Sequence, residues 1–229
     1  MNWKQYKCLS FDCYGTLVDW ETGLLSSLNN IIKAHGLNIS DNTLLEAYAE
    51  FESEIEKETF IPYKEVLAKV LFKFGKRFNF LPASDELKTF SVSVRNWLPF
   101  PDSVGALKVL RKKYNLVILS NIDDDLFHYS EKHLRTKFDK VFTAQQIGSY
   151  KPSIRNFYYL IENAGVQKKE ILHIAQSLFH DIKPAKEVGL STVWVNRRKG
   201  QDGFGATPSG KAQPDLEVSD LRTLATLVD

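Results

Sequence analysis

The 229-residue chain sets 30 lysines and arginines against 28 aspartates and glutamates, a formal net charge of +2, and 43% of its residues are hydrophobic. That balance suits a soluble globular protein of one large domain, or a core with a smaller second domain. It leaves no electrostatic footprint for nucleic acid or a membrane surface. No run approaches the ~20 apolar residues that span a bilayer, no apolar signal segment follows Met1, and Cys8 and Cys13 are too far apart along an extended strand to bridge. A reduced, cytoplasmic protein is the expectation.

In chain order, residues 7–11 read as a strand that ends at Asp12. Gly15 then lets the backbone turn away, because a residue without Cβ tolerates dihedrals that others avoid. Residues 21–35 place Leu24, Leu25, Leu28, Ile31 and Ile32 at helical spacing, with Gly36 as a stop. Ser40 or Asp41 caps a second helix through Leu44, Leu45, Tyr48 and Phe51. Pro62 suits the start of a third, carrying Val66, Leu67, Val70, Leu71 and Phe74, and Ser84 opens a fourth that ends near Trp97. From Phe100 onward strands and helices alternate. Strands are predicted over 115–120, 140–143, 171–175 and 192–195, with helices over 102–114, from 124, 153–164 and 182–188. Residues 199–215 are rich in Gly, Pro, Ser and Asp and read as a loop. The alternation implies βαβ crossovers, so the expected fold is α/β: a Rossmann-like parallel sheet core with an inserted helical cap. The expected division is a core of residues 1–16 and 98–229 with a cap of residues 17–97.

In open α/β sheets ligands bind at the carboxyl ends of the strands. Asp12, Ser120, Lys151 and the segment 175–181 all fall at or soon after such ends. Four ordered pieces result: Asp12-x-Tyr14-Gly15-Thr16-Leu17, Leu119-Ser120-Asn121, Lys151-Pro152 and Ala175-Gln176-Ser177-x-x-x-Asp181. In this order the set resembles the haloacid dehalogenase superfamily, in particular its type II 2-haloacid dehalogenase branch, over nearly the whole chain. Asn121-Ile122-Asp123, Gly148-Ser149-Tyr150 and Gly203-Phe204-Gly205-Ala206-Thr207 are also similar to ring-opening azetidine-2-carboxylate hydrolases of that branch.

The resemblance implies a hydrolase that cleaves a carbon–halogen bond of a small 2-substituted carboxylate. Asp12 would attack saturated carbon and form an aspartyl ester, which water then opens. Lys151 would orient Asp12, and Asp181 would anchor Lys151. Ser120 and Asn121 would donate to the substrate carboxylate or the ester oxygen, Thr16 and Ser177 would fix the nucleophile or the water, and Tyr14 and Trp20 would line the substrate pocket. No metal or cofactor is expected. The expected partner is a small-molecule carboxylate, with a homodimer as an open option. Alternatives are a ring-opening C–N hydrolase, a magnesium-dependent phosphatase of the same superfamily, and a non-catalytic interaction protein.

The chain departs from the family at several points. Phosphatases of the superfamily carry a second aspartate where Tyr14 stands, and usually paired acids in the last motif, where only Asp181 is present. Family dehalogenases carry an early cap arginine for the halide, yet no arginine lies between Asp12 and Arg77, and only Arg77 and Arg95 lie in the cap. The family tyrosine six residues after the motif lysine is Phe157, beside Tyr158. Phe60, Tyr63 and Trp97 are further candidates to line the pocket, although aromatics at helical positions are more often core. His35, His128, His133, His173 and His180 read as packing or surface residues. Asp19 reads as a helix-start carboxylate, Arg197-Arg198-Lys199 as a solvated run, and Cys13 as structural, facing away from Asp12.

Overall fold

The computed structural model describes residues 1–200 and 205–228. Strand β1 (Cys8–Phe11) is followed by helices α1 (Trp20–Ala34), α2 (Asp41–Glu56), α3 (Tyr63–Phe78) and α4 (Ser84–Ser91) and a 3-10 turn, Ser93–Asn96. Then come α5 (Ser103–Leu110), β2 (Asn115–Ser120), α6 (Asp124–Leu134), β3 (Lys140–Thr143), α7 (Ala144–Ile147) and α8 (Ile154–Asn163). The chain closes with β4 (Ile171–Ala175), a π-helical turn at Leu178–Ile182, α9 (Lys183–Glu187), β5 (Ser191–Val195), β6 (Leu216–Val218) and α10 (Leu221–Val228). The strands form one sheet in the order β3-β2-β1-β4-β5-β6, each neighbouring pair parallel. The fold is thus α/β and Rossmann-like.

The central strands are apolar because helices cover both faces of a parallel sheet. Every residue of β1 and β4 is buried. Their polar exceptions, Ser10 and His173, sit opposite each other in register and share a hydrogen bond of 3.1 Å from Ser10 Oγ to His173 Nδ1. On one side of the sheet, Leu9, Phe11, Leu116 and Ile118 join Leu107, Leu126 and Leu224 of α5, α6 and α10 in a core that continues into the early helices at Leu24, Leu28, Tyr48, Val66 and Phe74. The other packs on α8 and α9 through Phe157, Leu160 and Ala185.

The early helices end where local chemistry stops them. Asp19 caps α1, accepting from the amide and the hydroxyl of Thr22, and Ser40 caps α2. Gly23 permits the close approach of α1 to Trp97: a Cβ there would lie 2.2 Å from the indole ring. The start of α3 is held by the opposite layer. The buried Asp123 carboxylate accepts from Tyr63 N at 2.8 Å and Lys64 N at 3.0 Å, satisfying amides that a helix start leaves free.

Three of these elements were not anticipated. α7 follows β3 directly, β6 adds to β5, and α10 packs Leu221, Leu224, Ala225 and Val228 inward at ordinary helical spacing. Its first amide donates to Asp102 Oδ2 at 2.7 Å. The expected helix over 182–188 begins earlier, as the π-turn that carries Asp181. Of the expected loop 199–215, residues 201–204, including Gly203 and Phe204, lie outside the described residues. Arg197 is not solvated: it pairs with Asp102 at 2.8 Å, stacks over Phe100 and donates to Thr16 O, because the turn after β1 needs a donor there. Arg198 pairs with Glu21.

Candidate active site

Asp12 leaves the end of β1 with its amide still bonded to Ile174 O of β4. Gly15 takes φ +88°, and Leu17 N returns to Cys13 O, so the chain turns back immediately. The turn places Thr16 beside the carboxylate it follows: Thr16 Oγ1 donates to Asp12 Oδ2 at 2.7 Å and accepts from Gln176 N at 2.8 Å. The same turn leaves Cys13 fully buried in the core.

Lys151 is 2% exposed, and its ammonium spends all three protons inside the protein. They go to Asp12 Oδ1 at 2.8 Å, Asp181 Oδ1 at 2.7 Å and Leu119 O at 3.0 Å. Asp181 Oδ1 also accepts from His173 Nε2 at 3.0 Å. An ionised Asp181 fixes the tautomer, so His173 carries its proton on Nε2 and Nδ1 accepts from Ser10. Asp181 therefore does not cap a helix. The cap of the π-turn is Ser177, whose Oγ accepts from His180 N at 2.8 Å.

Burial pushes the Asp12 carboxyl up, with Lys151 and Thr16 acting in the opposite sense, and the balance holds it above the ordinary carboxylate value. Burial also acts upward on Asp181, but Lys151 and His173 more than offset it and keep this carboxyl low. Lys151 stays cationic: burial opposes its charge, and the two aspartates outweigh burial. Of the two carboxylates on one ammonium, Asp12 is the more basic and Asp181 the fixed counter-ion.

Beside this triad lies a cavity of about 40 Å³ lined by Asp12, Tyr14, Ser120, Asn121 and Lys151 from the strand ends and the loops after them, and by Trp20, Glu52, Glu56 and Tyr63 from α1, α2 and α3. Ser177, His180, Asp181, Gln176 and Thr207 complete it. Ser120 Oγ is buried and makes no hydrogen bond among the described residues. Asn121 differs from the sequence reading. Its amide is already spent, donating to Lys151 O at 3.0 Å and Glu56 Oε2 at 3.2 Å and accepting from Lys151 N at 2.8 Å, so it braces the lysine loop rather than offering a free donor. Tyr14 presents its ring to the cavity, but its hydroxyl pairs with Ser130 Oγ at 2.8 Å and burial pushes it well above the usual phenol value.

The pocket candidates separate. Trp20 and Tyr63 line the cavity, Phe60 lines an adjoining one of about 310 Å³, and Trp97 is core. His180 reaches the cavity, and burial lowers its pKa to about 4, so it is neutral at pH 7. Arg77 pairs with Glu50 on the surface and Arg95 stacks on Tyr129; neither lines the cavity. Phe157 packs edge-on against His173, and Tyr158 is exposed.

Sequence reasoning missed His173, Asp123, Glu52 and Glu56. Glu52 and Glu56 lie one helical turn apart on the buried face of α2. Glu52 Oε1, Tyr48 Oη and Tyr63 Oη form a closed ring with contacts of 2.9, 2.8 and 2.6 Å. Both phenols donate to Glu52 Oε1. Burial nevertheless raises the Glu52 pKa to about 7, against the pull of both tyrosines. Burial and the neighbouring Glu52 raise Glu56 well above the ordinary value. A carboxylate interrupting the apolar face of a helix was the available signal.

The family model for haloacid dehalogenase-like hydrolases matches residues 9–195, and the chain belongs to that family. Over 201 residues it is 25% identical to (S)-2-haloacid dehalogenase 1 of Pseudomonas sp. strain CBS-3, covering 82% of this chain and 83% of the relative. It is also 25% identical over 221 residues to a glyceraldehyde 3-phosphate phosphatase of Methanocaldococcus jannaschii, covering 94% and 82%. Among solved structures, the L-2-haloacid dehalogenase of Xanthobacter autotrophicus with chloropropionic acid covalently bound superposes with a TM-score of 0.80 at 20% identity, over 97% of this chain and 98% of that one; this likeness is one of fold. The protein is therefore a haloacid dehalogenase-like hydrolase, with dehalogenases and phosphatases both among its relatives.

Proposed function

We propose that this chain hydrolyses a small 2-substituted carboxylate through an ester to Asp12, without a metal ion. The observation that carries the reading is the buried Asp12–Lys151–Asp181 triad: the cation between the carboxylates is an ammonium with every proton spent. Asp12, the more basic of the two, attacks C2 of the substrate and expels the substituent there. Water then attacks the ester carbonyl, and one slow displacement becomes two steps. The unpartnered Ser120 hydroxyl suits a substrate carboxylate or the ester oxygen. The position that a phosphatase would give to a second acid is Tyr14, with its hydroxyl committed to Ser130.

The relatives named as dehalogenases favour halide as the leaving group. A second reading, ring opening at a C–N bond, is favoured by the helical wall of the cavity. Glu52 and Glu56 stand there and no arginine does. Carboxyls held above their ordinary values are suited to give a proton to a departing nitrogen. The cavity of about 40 Å³ adjoins one of about 310 Å³, and the two share Glu56, Lys151 and His180.

A paired screen tests this. Chloroacetate, fluoroacetate, both 2-chloropropionate enantiomers and azetidine-2-carboxylate are assayed for halide and for organic product, beside p-nitrophenyl phosphate with and without magnesium. Metal-independent turnover of a 2-substituted acid is expected, with halide release supporting the first reading and opening of the cyclic amine the second. Robust magnesium-dependent phosphatase activity with no turnover of the acids would overturn the reading.

A further inference from the structure

We propose that Glu56 is the general acid of this site, handing a proton to a nitrogen that leaves C2 as Asp12 attacks. The proposal rests on the C–N reading above and adds to it a residue and a role. Glu56 lines the same cavity as the nucleophile but comes from helix α2 rather than from a strand end. Its Oε2 is held by Asn121, the same amide that braces the backbone of Lys151, so its position is tied to the triad. Its Oε1 is buried and makes no hydrogen bond among the described residues. Ser120 Oγ, on the sheet side of the same cavity, is likewise buried and unpartnered. Two orphaned polar atoms, one from a strand end and one from a helix, mark out a ligand with an acceptor at one end and a basic atom at the other.

Burial favours the protonated acid. Glu52, one turn away on the same helix, adds to the effect when it is ionised, and Lys151 and Asn121 act in the other direction. Glu56 also lies between the two cavities, lining both together with Lys151 and His180, which gives it a route to solvent for exchanging the proton.

The step balances as follows. A ring nitrogen cannot leave as an amide anion. Glu56 and the nitrogen together hold one proton beyond the nitrogen's own N–H. An Asp12 oxygen forms a bond to C2 while the C2–N bond breaks. The electron pair stays on nitrogen and the shared proton ends there, leaving a primary amine and a Glu56 carboxylate. Water then adds to the Asp12 carboxyl carbon. One of its protons goes to the departing alkoxide, the other returns to the Glu56–amine pair, and Asp12 regains its carboxylate.

The test is a single turnover of azetidine-2-carboxylate by excess enzyme, read as mass added to the Asp12 peptide over time. Wild type is expected to form the adduct. E56Q is expected to form it about 100-fold more slowly or worse, the usual size of a general-acid effect. E56A is expected to be equally slow and to be rescued by formate but not by formamide, which a merely structural role would not produce. Adduct formation by E56Q at the wild-type rate would remove Glu56 while leaving the ester mechanism intact. So would a slow E56A that formate fails to rescue; should E56A not fold, E56Q decides alone. Product formed by wild type with no adduct on Asp12 would remove the ester mechanism, and this proposal with it.

Discussion

On the sheet side of the cavity nearly every polar atom near the nucleophile has a fixed partner, whereas on the helical side one carboxylate oxygen has none. Lys151 spends three protons on three acceptors, and Thr16 joins Asp12 to the chain after β4. Opposite, Glu52 accepts from two tyrosines, and Glu56 Oε1 has no partner among the described residues. The sheet side holds a charge still, and the helical side carries carboxyls that burial holds above their ordinary values. On the reading proposed above, the first side forms the ester and the second selects the leaving group.

The largest effect should come from the sheet side. Asp12→Asn is expected to lower turnover by about 10⁴-fold or more, since it removes the proposed nucleophile, and a product assay with the substrate found in the screen measures it. Near-normal turnover in this variant would undo the comparison at its root.

Lys151→Met leaves two buried carboxylates facing each other without their cation. Breaking a buried pair in this way costs about 3–5 kcal/mol, read by urea unfolding at pH 7. Adding Asp12→Asn to it should recover part of that loss, because it removes one of the stranded charges.

Glu52 tests the opposite wall through pH. Its unfolded value is near 4.5 and its folded value about 7. Between these pH values the unfolded chain has lost a proton that the folded chain keeps, so stability declines as pH rises through the window. The decline is on the order of 3 kcal/mol, and Glu52→Gln should flatten it. An unchanged pH–stability curve would show that Glu52 holds no extra proton.

The smallest effect belongs to His173. Its bond to an ionised Asp181 is worth about 1.5–3 kcal/mol, and His173→Phe should lose that amount at pH 7. Asp181 is held low, so its stabilisation is complete above about pH 4 and is lost as pH falls through the folded value. The variant should therefore show a shallower acid limb in unfolding.

The same division governs what could be read from the sequence. Asp12, Ser120, Lys151 and Asp181 follow strand ends, and hydrophobic runs bounded by turns announce those ends, so the sheet wall was legible. The parallel sheet followed from the alternation of strands and helices, although β6 is short and α10 was read past despite its regular spacing. The helical wall was hidden because Glu52 looks like any surface acid until the tertiary fold buries it against Tyr48 and Tyr63. His173 was passed over for a similar reason: its partners come from β1 and from the turn after β4. Asn121 was found but given the wrong task, since only the structure reveals that its amide is already committed.

The central claim is that an Asp12 oxygen becomes bonded to the substrate. A single turnover with excess enzyme in oxygen-18 water tests it most directly, with the label located by mass spectrometry. The account predicts that the isotope enters the Asp12 carboxylate first and reaches product only in later turnovers. Label passing straight into product, with none in the protein, would contradict it.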